Sequence, residues 1–310
     1  MKDTEVLTQA KPFIKWVGGK SQLLNQFQQL YPQDLAKGKI KQYCEPFLGG
    51  GAVFFDVSQN FSIESAQLFD INEELVLTYQ VVQRDVEKMM EFLDRYARKY
   101  LELPALKQKE FYFEFRTNYN HQRFNVDFKK YSEAWIPRAA QMIFLNKTCF
   151  NGLYRVNSKG EFNTPSGVYK NHQPRILDEE NLLRASKVLQ IAEICIANFS
   201  QVEHVLKNGA FVYFDPPYRP ISKTASFNRY SANVFEDEQQ IQLANIFKKL
   251  DEKGAAVMLS NSDPKNENPD DHFFDELYEG FHIKRVQASR LVNSKAHKRG
   301  PITEIVVMNY

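Results

Sequence analysis

The sequence predicts an α/β fold: an open, mostly parallel sheet, interrupted by a mostly helical insertion that bears a β-hairpin. Three observations lead there. An apolar run, Ala210-Phe211-Val212-Tyr213-Phe214, reads as a buried strand and stops at Asp215-Pro216-Pro217-Tyr218. An earlier strand at Gln42-Tyr43-Cys44 runs into the glycine loop Gly49-Gly50-Gly51 and then into a helix beginning at Ala52. About twenty residues on, Leu68-Phe69-Asp70-Ile71-Asn72 reads as a further strand ending in an acid.

Composition bounds the answer. A chain of 310 residues exceeds one typical domain, which fits one core domain plus a sizeable insertion. Hydrophobic residues at 43% are the share of a globular protein. The 25 Phe and 15 Tyr are unusually many, and some are expected to serve as stacking surfaces. A net charge of +2 gives no global polyanion signal, so any nucleic-acid surface must be a local patch. Cys44, Cys149 and Cys195 are far apart and odd in number. They form neither a disulfide framework nor a C-x-x-C metal pattern, and they fit a reducing, cytoplasmic compartment with no metal. The first ten residues carry Asp3 and Glu5 and lack an apolar stretch, so no signal peptide is expected. No apolar run approaches the ~20 residues of a membrane span.

The elements follow in order. Pro12 to Val17 precedes Gly18-Gly19, and a helical run from Ser21 to Leu30 places Leu23, Leu24, Phe27 and Leu30 on one face, with Ser21 as N-cap. Gly19-Lys20-Ser21 imitates the end of a P-loop, but that motif needs a glycine at position 14, where this chain has Ile14. Nucleoside triphosphate binding is rejected on that ground. Glycines let the backbone approach a ligand closely, although the triplet alone is equally a tight turn. Asp70 tips that balance, because an acid at this spacing is the usual partner of a ribose hydroxyl pair. Nothing beyond the triplet resembles a diphosphate cradle, so a nucleoside without phosphates is the expected ligand.

Helices are predicted over 73–84 and 86–103. Residues 111–131 mix aromatics with bases and read as a helix core with a solvated face, and a further helix covers 133–147. From Phe150 to Asn163, two short strands flank Asn157-Ser158-Lys159-Gly160 as a hairpin. Between Lys147 and Arg175 stand five basic residues against one acid, Glu161. A small basic hairpin has the size of a DNA major groove, and as a pattern it equally fits a scaffold hairpin. Residues 219–233 form a long loop without an element beside Asp215, a candidate lid. Then come a helix over 236–250, a strand over 255–260, a polar loop to 271, a helix, and two strands near 281–288 and 303–310. Lys284 to Arg299 holds six basic residues and no acid. It is a second candidate phosphate-contacting patch, or a merely soluble hairpin.

The tetrapeptide after the strand 210–214 carries the chemistry. Two prolines lack the donor N–H of a continuing strand, so the chain turns at the strand's C-terminal end and Asp215 and Tyr218 project there. That end is where open α/β sheets bind ligands. The Asp215 carboxylate and the Pro216 carbonyl accept from an NH₂ group, and Tyr218 stacks on the ring that bears it. A strand-ending turn with an ordinary Asp is the plain alternative.

Six segments in order resemble the Dam-type DNA adenine-N6 methyltransferases of the alpha group. They are Lys15-Trp16-Val17-Gly18-Gly19-Lys20, Glu45-Pro46-Phe47-Leu48-Gly49-Gly50-Gly51, Phe69-Asp70-Ile71-Asn72, Phe150-Asn151-Gly152-Leu153-Tyr154-Arg155, Gly160-Glu161-Phe162-Asn163 and Phe214-Asp215-Pro216-Pro217-Tyr218. The likeness runs from Lys11 to Tyr310. It implies a Rossmann-like methyltransferase core made of 1–72 and 188–310, and an inserted DNA-recognition domain over 73–187. It implies S-adenosyl-L-methionine as cofactor and S-adenosyl-L-homocysteine as product. Trp16, Lys20, Phe47, Gly49, Gly51, Asp70 and Asp215 match the cofactor-binding positions, with Lys20 toward the methionine carboxylate and Trp16 as a stacking or cation–π contact. Asp215, Pro216 and Tyr218 match the catalytic positions.

Lys15, Phe150, Asn151, Leu153, Arg155 and Asn157 match DNA-binding positions. The resemblance has Arg155 take guanine O6 and N7, Leu153 touch a thymine methyl, and Phe150 wedge into the stack as the adenine leaves. The hairpin looks like that of members acting on GATC. One departure is Gly167-Val168-Tyr169-Lys170, where such members tend to have Gly-Arg-Tyr-Lys. The implied partners are duplex DNA and a cognate restriction endonuclease on the same site without a stable complex. A monomer is favoured, and no membrane is involved. Cytosine C5 chemistry needs a thiolate, usually in Pro-Cys, and no Cys here follows Pro. Other exocyclic-amine methyltransferases, acting on cytosine N4, RNA or a glutamine side chain, stand as the enzymatic alternative. A non-catalytic DNA-binding relative is the other.

Overall fold

The computed structural model describes residues 9–167, 173–206, 209–219, 235–289 and 301–310. Three expectations fall outside them: Val168-Tyr169-Lys170, residues 220–233 of the candidate lid, and residues 290–299 of the second basic patch. The strands are β1 (Gln42–Glu45), β2 (Ser65–Asp70), β3 (Ala192–Ile196), β4 (Phe211–Phe214), β5 (Ala256–Ser262), β6 (His282–Ser289) and β7 (Pro301–Met308). The first five helices are α1 (Leu24–Phe27), α2 (Gln33–Ala36), α3 (Ala52–Asn60), α4 (Glu73–Leu101) and α5 (Ala105–Gln122). Then come α6 (Trp135–Thr148), α7 (Glu179–Leu189), α8 (Val202–Val205), α9 (Asp237–Glu252) and α10 (Phe273–Leu277). The chain divides into two compact units. One comprises Met1–Gly19, Gly49–Asn60 and Asn72–Ile191, the other Lys20–Leu48, Phe61–Ile71 and Ala192–Tyr310.

The second unit holds a seven-stranded sheet in the order β3-β2-β1-β4-β5-β7-β6. Strands β1 to β5 pair in parallel, and β7 runs antiparallel to both β5 and β6. This is the open, mostly parallel α/β sheet that the sequence predicts, with an antiparallel strand pair at one edge. The sheet's middle is dictated by β4, whose four residues are all buried. Val212 and Phe214 enter a core with Leu243 and Phe247 of α9. On the other face Phe211 meets Tyr31 and Tyr43, and Tyr213 meets Phe27. A run apolar on both faces is what a central parallel strand needs.

Two local expectations needed correction. The predicted helix over 21–30 is a 3₁₀ turn, Lys20–Gln22, followed by the single turn of α1. Pro32 disfavours helical geometry at Tyr31 and limits the run. Strand β3 was missed: its sequence Ala-Glu-Ile-Cys-Ile is short and exposes Glu193 and Ile196, as a sheet edge does.

The first unit is mostly helical. The break expected at position 85 is present, but as a kink: Asp85 has φ −135° and ψ 41° inside one continuous α4. Asn72 caps α4 by accepting from the Leu75 amide, and Glu73 and Glu74 favour the positive end of the helix dipole. Phe144 of α6 is ringed by Tyr96, Tyr100, Phe111 and Phe115. Much of the aromatic excess is therefore core, although Phe124 and Phe150 are exposed, at 75% and 46%. The hairpin is present with shorter pairing than expected. Val156 and Phe162 form an antiparallel bridge, and the Asn163 amide donates to the Arg155 carbonyl at 2.9 Å. No helix among the described residues is long and apolar enough to cross a membrane. Nor is any group of His, Cys, Asp or Glu among them placed to hold a metal ion.

Candidate active site

The alternation of β4 sets the site in the second unit. Tyr213 and Asp215 lie two residues apart and so share a face. Parallel pairing of Tyr213 with Met258 and of Phe214 with Leu259 brings Asp215 level with Ser260 in the C-terminal half of β5. The Ser260 hydroxyl donates to Asp215 Oδ1 at 3.2 Å and is 2.7 Å from the Tyr213 hydroxyl. Lys20 completes the cluster. It is only 3% exposed, and its Nζ lies 2.7 Å from Asp215 Oδ1 and 4.7 Å from the centre of the Tyr218 ring. The Tyr218 hydroxyl donates to Glu304 of β7.

The turn that carries these groups is held from behind. Gln240 donates to the Pro217 carbonyl at 3.2 Å, and Asn261 donates to Gln240 at 3.0 Å. Arg219 pairs with Asp237 and Asp271 and lies over the Phe273 ring. Asp215 and Tyr218 thus sit on a turn fixed by buried Gln240 and Asn261 and by the two ion pairs of Arg219, as a preorganised site requires. Burial pushes the Asp215 carboxyl above its ordinary range. The Lys20 ammonium, then hydrogen bonds from Lys20 and Ser260, oppose that push. Burial likewise raises Glu304, against the charge of Lys20 and the Tyr218 hydrogen bond. Asp70 ends β2 half-buried, and its carbonyl accepts from the Ala197 amide at 3.2 Å. Phe47 stacks on Phe199 at 5.3 Å and meets Phe214 and Phe235 edge-on, so its ring is tied to the core.

In the first unit, Trp16 is half-buried beside the glycine loop. Gly49 has φ +47°, and a Cβ there would stand 2.9 Å from Trp16 Cδ1, so only glycine fits. Gly51 also has a positive φ, 66°. Lys15 is held by its backbone: its amide donates to the Asn146 side chain at 2.8 Å, and its carbonyl accepts from the same side chain at 2.9 Å. Phe150 is exposed, and Asn151 takes the left-handed φ of 57° that asparagine tolerates. Leu153 is half-buried. Arg155 is exposed, its Nε donating to Asn163 Oδ1 at 2.7 Å. Asn157 closes the turn, donating to Glu161 at 2.7 Å and accepting from the Lys159 and Glu161 amides.

The basic patches are more engaged than their composition suggests. Burial pushes the Lys147 ammonium down to about 8, with the charge of Lys15 adding to it. In the second patch Arg285 pairs with Asp263 and Asp275. Sequence reasoning missed Ser260, Glu304, Asn146 and Tyr154. A lone acid in the apolar run of β7 and a serine closing the apolar stretch of β5 were the available signals.

The chain is similar to known proteins over most of its length. The profile of the D12 class N6 adenine-specific DNA methyltransferases matches residues 16–292. The type II methyltransferase M.MjaIII of Methanocaldococcus jannaschii is 47% identical over 303 residues, covering 97% of this chain and 100% of the relative. The type II methyltransferase M1.LlaDCHI of Lactococcus lactis subsp. cremoris is 39% identical, covering 97% and 95%. The DNA adenine methylase of Escherichia coli K12 is 30% identical, covering 96% and 95%.

Proposed function

The chain belongs to the D12 class of N6 adenine-specific DNA methyltransferases, and on that footing we propose that it methylates adenine N6 within GATC in duplex DNA, with S-adenosyl-L-methionine as donor. The family already implies a methyl donor and a DNA substrate. The single observation that carries the reading is Asp215-Pro216-Pro217-Tyr218 at the C-terminal end of β4, fastened by buried Lys20 and by Ser260.

The mechanism rests on what these residues do. Adenine N6 is shielded inside a duplex, so the base is flipped out at a cost of a few kcal/mol. Its amino lone pair is delocalised into the ring. Asp215 and the Pro216 carbonyl accept from the two N6 hydrogens, which draws the nitrogen toward tetrahedral geometry and frees the pair. Tyr218, tied to Glu304, offers its ring face to the base. The donor supplies an electrophilic methyl on a sulfonium sulfur. Asp215 and Tyr218 then act by positioning and electrostatics, with no covalent enzyme intermediate.

Support for that donor comes from the chain's own residues. Asp70 offers a half-buried carboxylate at a strand end for ribose hydroxyls. Gly49 lets the glycine loop close on Trp16, since a Cβ there would stand 2.9 Å from its ring, and Trp16 offers a flat, half-buried ring for the sulfonium side. Residues 73–187 are the proposed target-recognition domain, and 1–72 with 188–310 the catalytic one. In the hairpin, exposed Phe150 is the proposed wedge, with Arg155 and Leu153 as base readers and Lys15, Asn151 and Asn157 beside them. A monomer in the cytoplasm is proposed. A cognate restriction endonuclease is proposed because two of the relatives carry type II names. Digestion of DNA from expressing cells tests the target. The reading requires GATC sites resistant to a methylation-sensitive nuclease and cut by a methylation-dependent one. Sites with the opposite behaviour would remove GATC from the account.

A further inference from the structure

One residue of the proposed DNA-reading hairpin faces inward. Leu153 is half-buried and Arg155 exposed, but Tyr154 between them is buried. Its ring lies on that of Trp16, with centroids 5.2 Å apart and planes at 21°. Tyr154 is fixed from behind by Phe162, with ring centroids 5.5 Å apart. The charges of Glu74, Arg123 and Arg138 also surround it. Those three make a network of their own: Arg123 and Arg138 reach Glu74 Oε1 at 2.7 and 2.6 Å.

Trp16 therefore has one ring face on Tyr154 and its pyrrole edge against Gly49. The neighbouring residue is clamped to the same hairpin. The Asn146 side chain holds both backbone groups of Lys15 and donates to the Gly152 carbonyl at 3.1 Å. Gly152 must be glycine, since a Cβ there would stand 2.4 Å from Lys15 Cδ. Indole and phenol planes so nearly parallel fix an orientation that an aliphatic neighbour would leave free.

We infer that Tyr154 is a positioning residue for Trp16, serving the methyl donor's site, although it stands between two residues proposed to read bases. The inference rests on the proposed role of Trp16 at the donor. A loosened indole would sample other rotamers and lose its contact with a bound sulfonium. Exposed Arg155, bonded to Asn163, would keep its place.

The chain has two tryptophans, so a Trp135→Phe background leaves Trp16 as sole reporter. Tyr154→Leu keeps buried volume without the plane, and Tyr154→Phe keeps the plane without the hydroxyl. Three readouts are taken: acrylamide quenching of Trp16 in ligand-free protein, S-adenosylmethionine affinity by calorimetry, and the rate ratio between GATC and singly substituted duplexes. For Tyr154→Leu, quenching should rise and donor affinity fall roughly two- to tenfold, the scale of one aromatic pair. Its sequence discrimination should stay at the parent value. Tyr154→Phe should match the parent in all three. Unchanged quenching and affinity in Tyr154→Leu would overturn the inference, as would equal losses in both variants. A loss of discrimination at unchanged donor affinity would place Tyr154 among the readers instead. A parent protein that fails to bind S-adenosylmethionine refutes the donor reading itself, a result distinct from an unaltered Tyr154→Leu.

Discussion

Lys20→Met separates two roles for one lysine. As a cofactor residue, Lys20 would hold the donor's carboxylate. The structure gives it another partner: Nζ stands 2.7 Å from Asp215 Oδ1, with Lys20 and Asp215 only 3% and 20% exposed. Burial already raises the Asp215 carboxyl, and Lys20 is the largest influence holding it down. Removing one partner of a buried pair costs about 3–5 kcal/mol if the other stays charged. Asp215 keeps its Ser260 hydrogen bond and some solvent, so the lower end applies. At about 1.4 kcal/mol per pKa unit, about 3 kcal/mol lifts the carboxyl by about two units.

The sign is fixed by the chemistry. Asp215 accepts from N6 as an anion, so activity is present above its pKa and lost as pH falls through it. Lys20→Met should therefore move the acid limb of the single-turnover rate upward by about two units, with the plateau recovered at high pH. The assay is methyl transfer to a short duplex at saturating donor across pH. An acid limb that stays in place, together with weakened donor affinity, would refute the pairing role and return Lys20 to the cofactor.

Three further outcomes are expected. Asp70→Ala should weaken S-adenosylmethionine binding by roughly 1–3 kcal/mol, the scale of a charged hydrogen bond, and leave DNA affinity without donor unchanged; calorimetry showing equal donor affinity would remove the ribose contact. Arg155→Ala should lose about 1–3 kcal/mol of discrimination at one base pair only. A uniform loss on all duplexes, with a salt slope shallower by about one, would make it a phosphate anchor. Glu304→Ala frees the Tyr218 hydroxyl and should cost about tenfold in kcat/KM, with Glu304→Gln restoring most of it; full activity in the alanine variant would show that Tyr218 needs no such tether.

The parts legible in the sequence were those carried by local pattern. β4 and β5 contain apolar runs, β1 was marked by the glycine loop that follows it, and the break at Asp85 follows from the two flanking periodicities. Asp215 and Tyr218 were legible because two prolines have few other uses after a buried strand. What was hidden depended on pairing between distant segments. Ser260 meets Asp215 only through the β4–β5 register, and Glu304 meets Tyr218 only because β7 returns antiparallel beside β5. Lys20 looked like part of a glycine-rich ligand loop, and its partner is an acid far along the chain. Edge strand β3 lacked the apolar content that makes a strand visible. Tyr154 was masked by its neighbours, since an aromatic between a leucine and an arginine in a basic hairpin invites the same reading as they do.

The most direct test of the central claim is the identity of the modified base and its dependence on Asp215. Purified protein is incubated with isotope-labelled S-adenosylmethionine and a GATC duplex, and the DNA is digested to nucleosides for mass spectrometry. The account predicts labelled N6-methyl-2′-deoxyadenosine as the product. It also predicts that Asp215→Ala, folded by circular dichroism, retains no more than a few per cent of the rate, because an acceptor for the reacting amine is gone. Label in N4-methylcytosine, or an Asp215→Ala protein that still methylates adenine at an appreciable rate, would contradict it.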